Sequence, residues 1–202
     1  KQQELLKALK ATGKPLIVVY IEGRPLDKNW ASENADAVLT AYYPGQEGGI
    51  AIADVLFGDF NPAGRLPFSV PRSVGQIPLY YNKKAPQSHD YVEMSASPLY
   101  PFGYGLSYTS FKYDQLKVNK ADYHANEEIE ITVNVSNTGE RQGEEVVQLY
   151  IRDDYSNTTR PVKELKRFQR ILLEKGENKV VSFRLNKEDL SYYNHKAEYV
   201  LE

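Results

Sequence analysis

Glu128-Ile129-Glu130-Ile131-Thr132-Val133-Asn134-Val135 alternates polar and apolar residues without a break. A period of two buries one face of an extended chain and wets the other, so this octet is a half-buried strand with Ile129, Ile131, Val133 and Val135 inward. The same grammar holds from Phe111 onward. Asn137-Thr138-Gly139 ends the strand, and Val146-Val147-Gln148-Leu149-Tyr150-Ile151 begins the next. Lys163 to Leu173 and Asn178 to Leu185 supply two more, separated by Glu174-Lys175-Gly176-Glu177. Strands spaced by turns with no helix between them predict an immunoglobulin-like β-sandwich. Such a sandwich needs about seven strands and roughly six candidates precede Leu201-Glu202, so the closing strand is expected to be absent. The final Leu-Glu pair is either native or a cloning remnant.

Residues 1–70 follow a different rule. The opening helix places Leu5, Leu6 and Leu9 on one face, and Gly13 then Pro15 stop it. It reads as a helix already under way, so the sequence is expected to begin inside a domain. Leu16-Ile17-Val18-Val19-Tyr20-Ile21 is a continuous apolar run, the composition of a strand covered on both faces. Arg24 to Asn34 makes a short connection or helical turn holding the only tryptophan, Trp30. Ala37 to Tyr43 is a second buried strand, and the Pro44–Gly49 turn leads into a helix ending near Gly58. Helix, strand, helix, strand, helix with near-continuous apolar strands predicts a parallel, doubly wound sheet. Two strands cannot cover themselves. The rest of the sheet is expected upstream of Lys1, and its absence should leave an exposed apolar face or edge.

Between these regions, residues 59–110 carry Pro or Gly every few positions, with short extended pieces expected at Arg65 to Val70 and Gln76 to Tyr81. Seven of the sixteen tyrosines fall between Tyr80 and Tyr113. Disordered linkers avoid such rings, so the segment reads as an ordered strap. The expected class is therefore α/β plus all-β: a partial α/β domain at 1–81, an aromatic Pro/Gly-rich strap and linker at 82–110, and a β-sandwich at 111–202.

Composition removes several functions. A net charge of −2 gives no electrostatic reason to expect nucleic acid or an anionic membrane as partner. No apolar run approaches the ~20 residues of a membrane span, and the N-terminus is not a signal peptide. The chain has no cysteine, which excludes disulfides and thiolate chemistry. Ser88-His89-Asp90-Tyr91 invites a metal or triad reading, but no second ligand sits at useful spacing, and no metal or organic cofactor is expected. Lys163-Glu164-Leu165-Lys166-Arg167-Phe168-Gln169-Arg170 reads as a solvated strand face. Glu47, alone in the turn "AYYPGQEGG", is either a group at the binding edge of the sheet or a helix-start residue favoured by the dipole. The second reading prevails. Tyr42 and Tyr43 end the same strand, so one ring points toward each face.

Several stretches resemble glycoside hydrolase family 3, the β-glucosidase and β-xylosidase family: "KPLIVVYIEGRPL", "AYYPGQEGGIAIADVLFGDFNPAGRLPFSVPRSVGQIPLYY" and "SPLYPFGYGLSYTSF". "VSNTGERQGEEVVQLYIRD" resembles the fibronectin-III-like domain that follows in many members. The resemblance implies that this chain holds the C-terminal part of an α/β sandwich domain and most of a fibronectin-III-like β-sandwich, with a catalytic barrel preceding both.

A retaining glycosidase needs two carboxyl groups about 5–5.5 Å apart. The resemblance puts the nucleophile on the barrel and the acid/base in a loop before Lys1. No catalytic residue is therefore expected among these 202, and the piece alone should hydrolyse nothing. The parent would remove terminal, non-reducing β-linked sugars, with a β-linked oligosaccharide or glycoside and its own N-terminal barrel as partners, in the periplasm or outside the cell. Tyr42, Tyr43 (where members often carry Trp), Glu47, His89 and Tyr91 become the substrate-proximal candidates. Tyr100, Phe102, Tyr104, Leu106 and Tyr108 become the residues that dock the α/β domain on the sandwich. The rival is a non-catalytic module whose tyrosines hold carbohydrate or another protein.

Overall fold

The structure is a computed structural model that describes residues 1–84 and 90–201. His89 and Glu202 lie outside the described residues. The chain divides into two compact units. The first comprises Lys1–Phe60, Pro67–Tyr80 and a stretch ending at Phe102. The second comprises Asn61–Leu66, a stretch beginning at Tyr81, and the chain from Gly103 onward.

In the first unit, α1 (Gln2–Lys10), β1 (Ile17–Tyr20), α2 (Asn29–Asn34), β2 (Ala37–Thr40) and α3 (Gly48–Phe57) follow in order. The β-branched run forms β1, which pairs parallel with β2 in the register Ile17 to Ala37 through Tyr20 to Thr40. Leu16, Val18 and Ala31 form the core, with Leu6, Trp30 and Val38 packed on it. Of the three leucines expected on one buried face, Leu6 packs whereas Leu5 and Leu9 are exposed. Ile17 and Ile21 stay exposed, as do Ile50 and Phe57 of α3, which is the apolar exposure expected of two strands that cannot cover themselves.

The expected second strand, Ala37 to Tyr43, stops at Thr40. Tyr42 takes a left-handed backbone conformation with φ 52°, which turns the chain out of the pleat. The ladder frays gradually: Ala41 N–H still donates to Tyr20 O at 2.8 Å and Glu22 N–H to Tyr42 O at 3.1 Å. Gly48 is buried where an added Cβ would lie 2.5 Å from the Pro44 ring, so the turn into α3 needs glycine there. Gly58, at φ 87°, caps the other end of α3.

The expected extended piece at Gln76 to Tyr81 begins instead as a 3-10 turn, Val74–Gln76, started by the Ser73 hydroxyl accepting from Gly75 N–H. Arg65 to Val70 makes a single bridge, Val70 to Tyr100, rather than a strand.

The second unit contains β3 (Phe111–Val118), β4 (Ile129–Asn137), β5 (Gly143–Ile151), β6 (Glu164–Leu173), β7 (Asn178–Leu185), α4 (Lys187–Leu190), β8 (Tyr192–Tyr193) and β9 (Tyr199–Val200). β3, β4 and β7 make one antiparallel sheet, β5 and β6 a second, and β8 and β9 a small hairpin. Val135 of β4 and Val181 and Phe183 of β7 meet Val147 of β5 and Ile171 and Leu173 of β6 in one core. Of the four residues expected inward on β4, Val135 is in this core and Val133 packs on it, whereas Ile129 and Ile131 are only half-buried and lie outside it. The expectation of no helix fails at α4, where Asn186 and Asp189 form a capping box that closes one helical turn. The charged run on β6 is not simply solvated either. Arg167 forks onto Asp189 at 2.7 and 2.5 Å, Arg170 pairs with Glu144, and Glu164 accepts from Arg160 at 2.9 Å.

Candidate functional site at the carboxyl edge of the parallel sheet

In sheets built from parallel strands, ligands sit beyond the carboxyl ends, where loops diverge and backbone groups are free to turn. Tyr20 and Thr40 end the two strands here. The residues just past them are Glu22, Gly23, Tyr42 and Tyr43, followed by the turn to α3.

The two tyrosines separate sharply. Tyr42 is half-buried, its ring edge-on to Phe68 with centroids 5.8 Å apart and planes at 86°. Tyr43 is 80% exposed. Its ring lies across Gly23, where an added Cβ would sit 2.2 Å from the hydroxyl, so glycine at 23 is what lets the ring rest there. Glu47 is exposed and immediately precedes α3. Its carbonyl accepts Ala51 N–H at 3.1 Å, but its side chain makes no capping bond. It is a helix-start residue by position and a free carboxylate by chemistry.

Beneath this edge lies a feature that sequence reasoning did not single out. Glu22 and Lys28 form an ion pair with side chains 3% and 2% exposed. Lys28 directly precedes α2, and its ammonium also stands 4.7 Å from the centre of the Tyr20 ring. Burial raises the Tyr20 pKa, and the charge of Glu22 raises it further. Burial and then Glu22 do the same to Tyr42. One signal was legible in "YIEGRPLDKNW": an acid one residue beyond a buried strand, with a lysine on the approach to the next helix. A six-residue separation across a loop matches no regular period, so only the fold brings the two together.

A second group surrounds Asp90, whose Oδ1 accepts Ala96 N–H at 2.8 Å and the Ser95 hydroxyl at 3.1 Å. The Ala96 amide and then Ser95 hold its pKa below the usual carboxylate range. The loop so formed is tied down by buried Gln76, whose Nε2 donates to Ser95 O at 3.0 Å while its Oε1 accepts Arg72 N–H at 2.6 Å. Tyr91 is exposed on this loop. His89 falls outside the described residues. Of the five substrate-proximal candidates, the structure brings Tyr42 and Tyr43 together on one edge, places Glu47 at the end of the same turn, and carries Tyr91 on the separate Asp90 loop.

The expected docking residues divide between the units. In the first, the Tyr100 hydroxyl donates to Ser32 Oγ at 2.9 Å and Phe102 N–H to Ser69 Oγ at 3.2 Å. In the second, Tyr104 O accepts Leu66 N–H at 2.9 Å, Tyr108 N–H donates to Asn61 Oδ1 at 2.9 Å, and Leu106 is exposed.

Chemically the edge offers an exposed ring with a polar tip and one free carboxylate. Its second carboxylate, Glu22, is shut away with Lys28. Among the described residues no group of three or more His, Cys, Asp or Glu side chains is arranged to hold a metal ion.

The comparisons with known proteins cover both units. Residues 1–108 match the model of the glycosyl hydrolase family 3 C-terminal domain, and residues 145–202 that of the fibronectin type III-like domain. The chain is 45% identical over 212 residues to a periplasmic β-glucosidase of Salmonella typhimurium, covering 100% of this chain and 28% of that protein. It is also 45% identical over 205 residues to a β-xylosidase of Formosa agariphila, again covering 100% of this chain and 28% of the other. A solved β-glucosidase from Listeria innocua in complex with glucose superposes with a TM-score of 0.95 at 37% identity, covering 100% of this chain and 29% of that one. The chain thus spans 28% of the length of each of these two curated relatives.

Proposed function

The chain belongs to glycosyl hydrolase family 3, and from that premise we propose that it forms the C-terminal portion of a retaining, exo-acting β-glucosidase-like enzyme. The observation that carries this reading is 45% identity along its whole length to proteins named for β-glucosidase and β-xylosidase activity, of which it covers 28%. The enzyme removes terminal non-reducing β-linked sugars through a covalent glycosyl intermediate, using two carboxyl groups about 5–5.5 Å apart. The reading assigns neither to these residues; Glu22 is buried against Lys28, and Glu47 stands exposed at a helix start.

The 202 residues serve as scaffold and cleft wall. Tyr43 lines the sugar-binding edge with Tyr42 behind it, and Glu47 and Tyr91 lie at its margin. Tyr100, Phe102, Tyr104, Leu106 and Tyr108 belong to the strap (82–110) that follows the α/β domain (1–81) and precedes the sandwich (111–202). An N-terminal barrel is the partner that carries the nucleophile, and the assembled enzyme works in the periplasm or outside the cell, in line with the name of the Salmonella relative.

The test is stereochemical. The longer enzyme containing this chain is given an aryl β-glucoside, and the first-formed sugar is followed by proton NMR. Retention of the β-anomer supports the reading, and the α-anomer overturns it. The 202-residue chain alone should release no aryl group, and turnover by it would return a catalytic pair to these residues. Tyr43→Ala in the longer enzyme should raise KM with little change in kcat.

A further inference from the structure

Two buried polar atoms at the carboxyl edge of the sheet have no hydrogen-bond partner among the described residues: Glu22 Oε2 and Tyr42 Oη. They belong to side chains that sense each other, since the charge of Glu22 acts on the Tyr42 hydroxyl. Their backbones are joined directly, Glu22 N–H to Tyr42 O at 3.1 Å. Lys28 satisfies only Oε1 of the carboxylate. A carboxylate accepts on both oxygens and a phenol both donates and accepts, so each side chain retains unused hydrogen-bonding capacity. Buried groups in this state are completed by a small polar molecule between them, and a site lined by an acceptor and a donor fits water.

The surroundings are built to hold such a site. The Glu22 side chain is 3% exposed, and the Tyr42 ring is fixed edge-on against Phe68. Tyr42 also holds a left-handed backbone at φ 52°, a conformation a bulky side chain adopts only when its surroundings impose it. Two residues later the chain turns through Pro44 and Gly45 toward Glu47 and α3.

We propose that one internal water bridges Glu22 Oε2 and Tyr42 Oη, and that Glu22 acts through it as a positioning residue for the turn carrying Tyr43 and Glu47. The water is inferred from the two orphaned atoms and from the backbone bond that joins their residues. The effect on substrate rests on the reading that this turn lines the sugar-binding edge.

The experiment uses the longer enzyme that contains this chain. A crystal structure should place a water within hydrogen-bond distance of both atoms, and density that leaves either atom unbridged overturns the proposal. Tyr42→Phe keeps the ring packing and the Glu22–Lys28 pair, so it removes only the hydroxyl. It should speed amide hydrogen exchange at Ala51, the first helical N–H held by Glu47, and raise KM roughly fivefold with kcat unchanged, the scale of one hydrogen bond. A fall in kcat with KM unchanged refutes positioning by this route. If the water and the exchange response are present but the enzyme does not act on β-glycosides, the proposed function fails while the bridge stands. If β-glycosides are cleaved but Tyr42→Phe leaves both exchange and KM unmoved, the bridge fails while the function stands.

Discussion

Replacing Lys28 with methionine removes the ammonium from a pair whose side chains are 2% and 3% exposed. Methionine keeps most of the length of the stem and its contact with the Tyr20 ring, so the packing loss is small. What remains is the Glu22 carboxylate, out of water and without a countercharge. Breaking a buried pair from one side costs about 3–5 kcal/mol. For a chain of this size each kcal/mol moves Tm by about 2–4 °C, so the midpoint should fall by roughly 6–20 °C. The companion variant Lys28→Met with Glu22→Leu removes both charges, and apolar replacement of a buried pair is commonly neutral or stabilising by about 1–4 kcal/mol. Trp30 provides the assay. It is the only tryptophan, sits in α2 two residues after Lys28, and packs on the Leu16, Val18 and Ala31 core. Urea unfolding of the 202-residue chain followed by its fluorescence should show a lower midpoint at unchanged slope for the single variant, with recovery in the double. A single variant within about 1 kcal/mol of wild type, or a double variant less stable than the single, would refute the reasoning that an unpaired Glu22 charge dominates this edge.

Leu173→Ala, at a side chain with no solvent exposure in the core of the second unit, should cost about 2–5 kcal/mol, read as a shift in urea midpoint. Asn137→Ala should cost about 3 kcal/mol or more by thermal unfolding, because this buried amide donates to Arg141 O and Leu173 O while its oxygen accepts from the Thr109 hydroxyl and Gly139 N–H. Asp36 carries a depressed pKa, caused first by Leu16 N–H at 2.7 Å and then by Lys10 at 2.9 Å. Its contribution is therefore full above the ordinary value of 3.8 and is lost as pH falls through the folded value, so Asp36→Asn should flatten the acid limb of a stability-against-pH curve. Gln76→Leu leaves Arg72 N–H and Ser95 O without their bonds, and should speed hydrogen exchange and proteolysis within residues 90–97 while β4 stays protected.

The fold was largely legible because it rests on period. Alternation from Glu128 to Val135 marked β4, and Asn178–Leu185 is β7 as read. The helix stop at Gly13-Pro15, β1 and α3 followed from runs, caps and breakers that act over a few residues. Ala37 to Tyr43 carries no charge, glycine or proline, so no local signal ends β2 at Thr40; the left-handed Tyr42 does. The 3-10 turn at Val74–Gln76 is started locally by Ser73, but Gln76 also reaches Ser95, a partner 19 residues away.

Sequence by itself determined the class of each half, the order of helices and strands in the first unit, the family resemblance, and the placement of Glu47 in the turn between a strand and α3. All of these depend on near neighbours or on unbroken motifs. Tertiary structure alone decided that Tyr43 faces outward over Gly23, that Lys28 enters the interior to meet Glu22, and that Glu22 and Tyr42 each retain an unused polar atom there. Those facts depend on which loops a parallel pair of strands brings to one edge, and burial then multiplies the strength of every charge placed there.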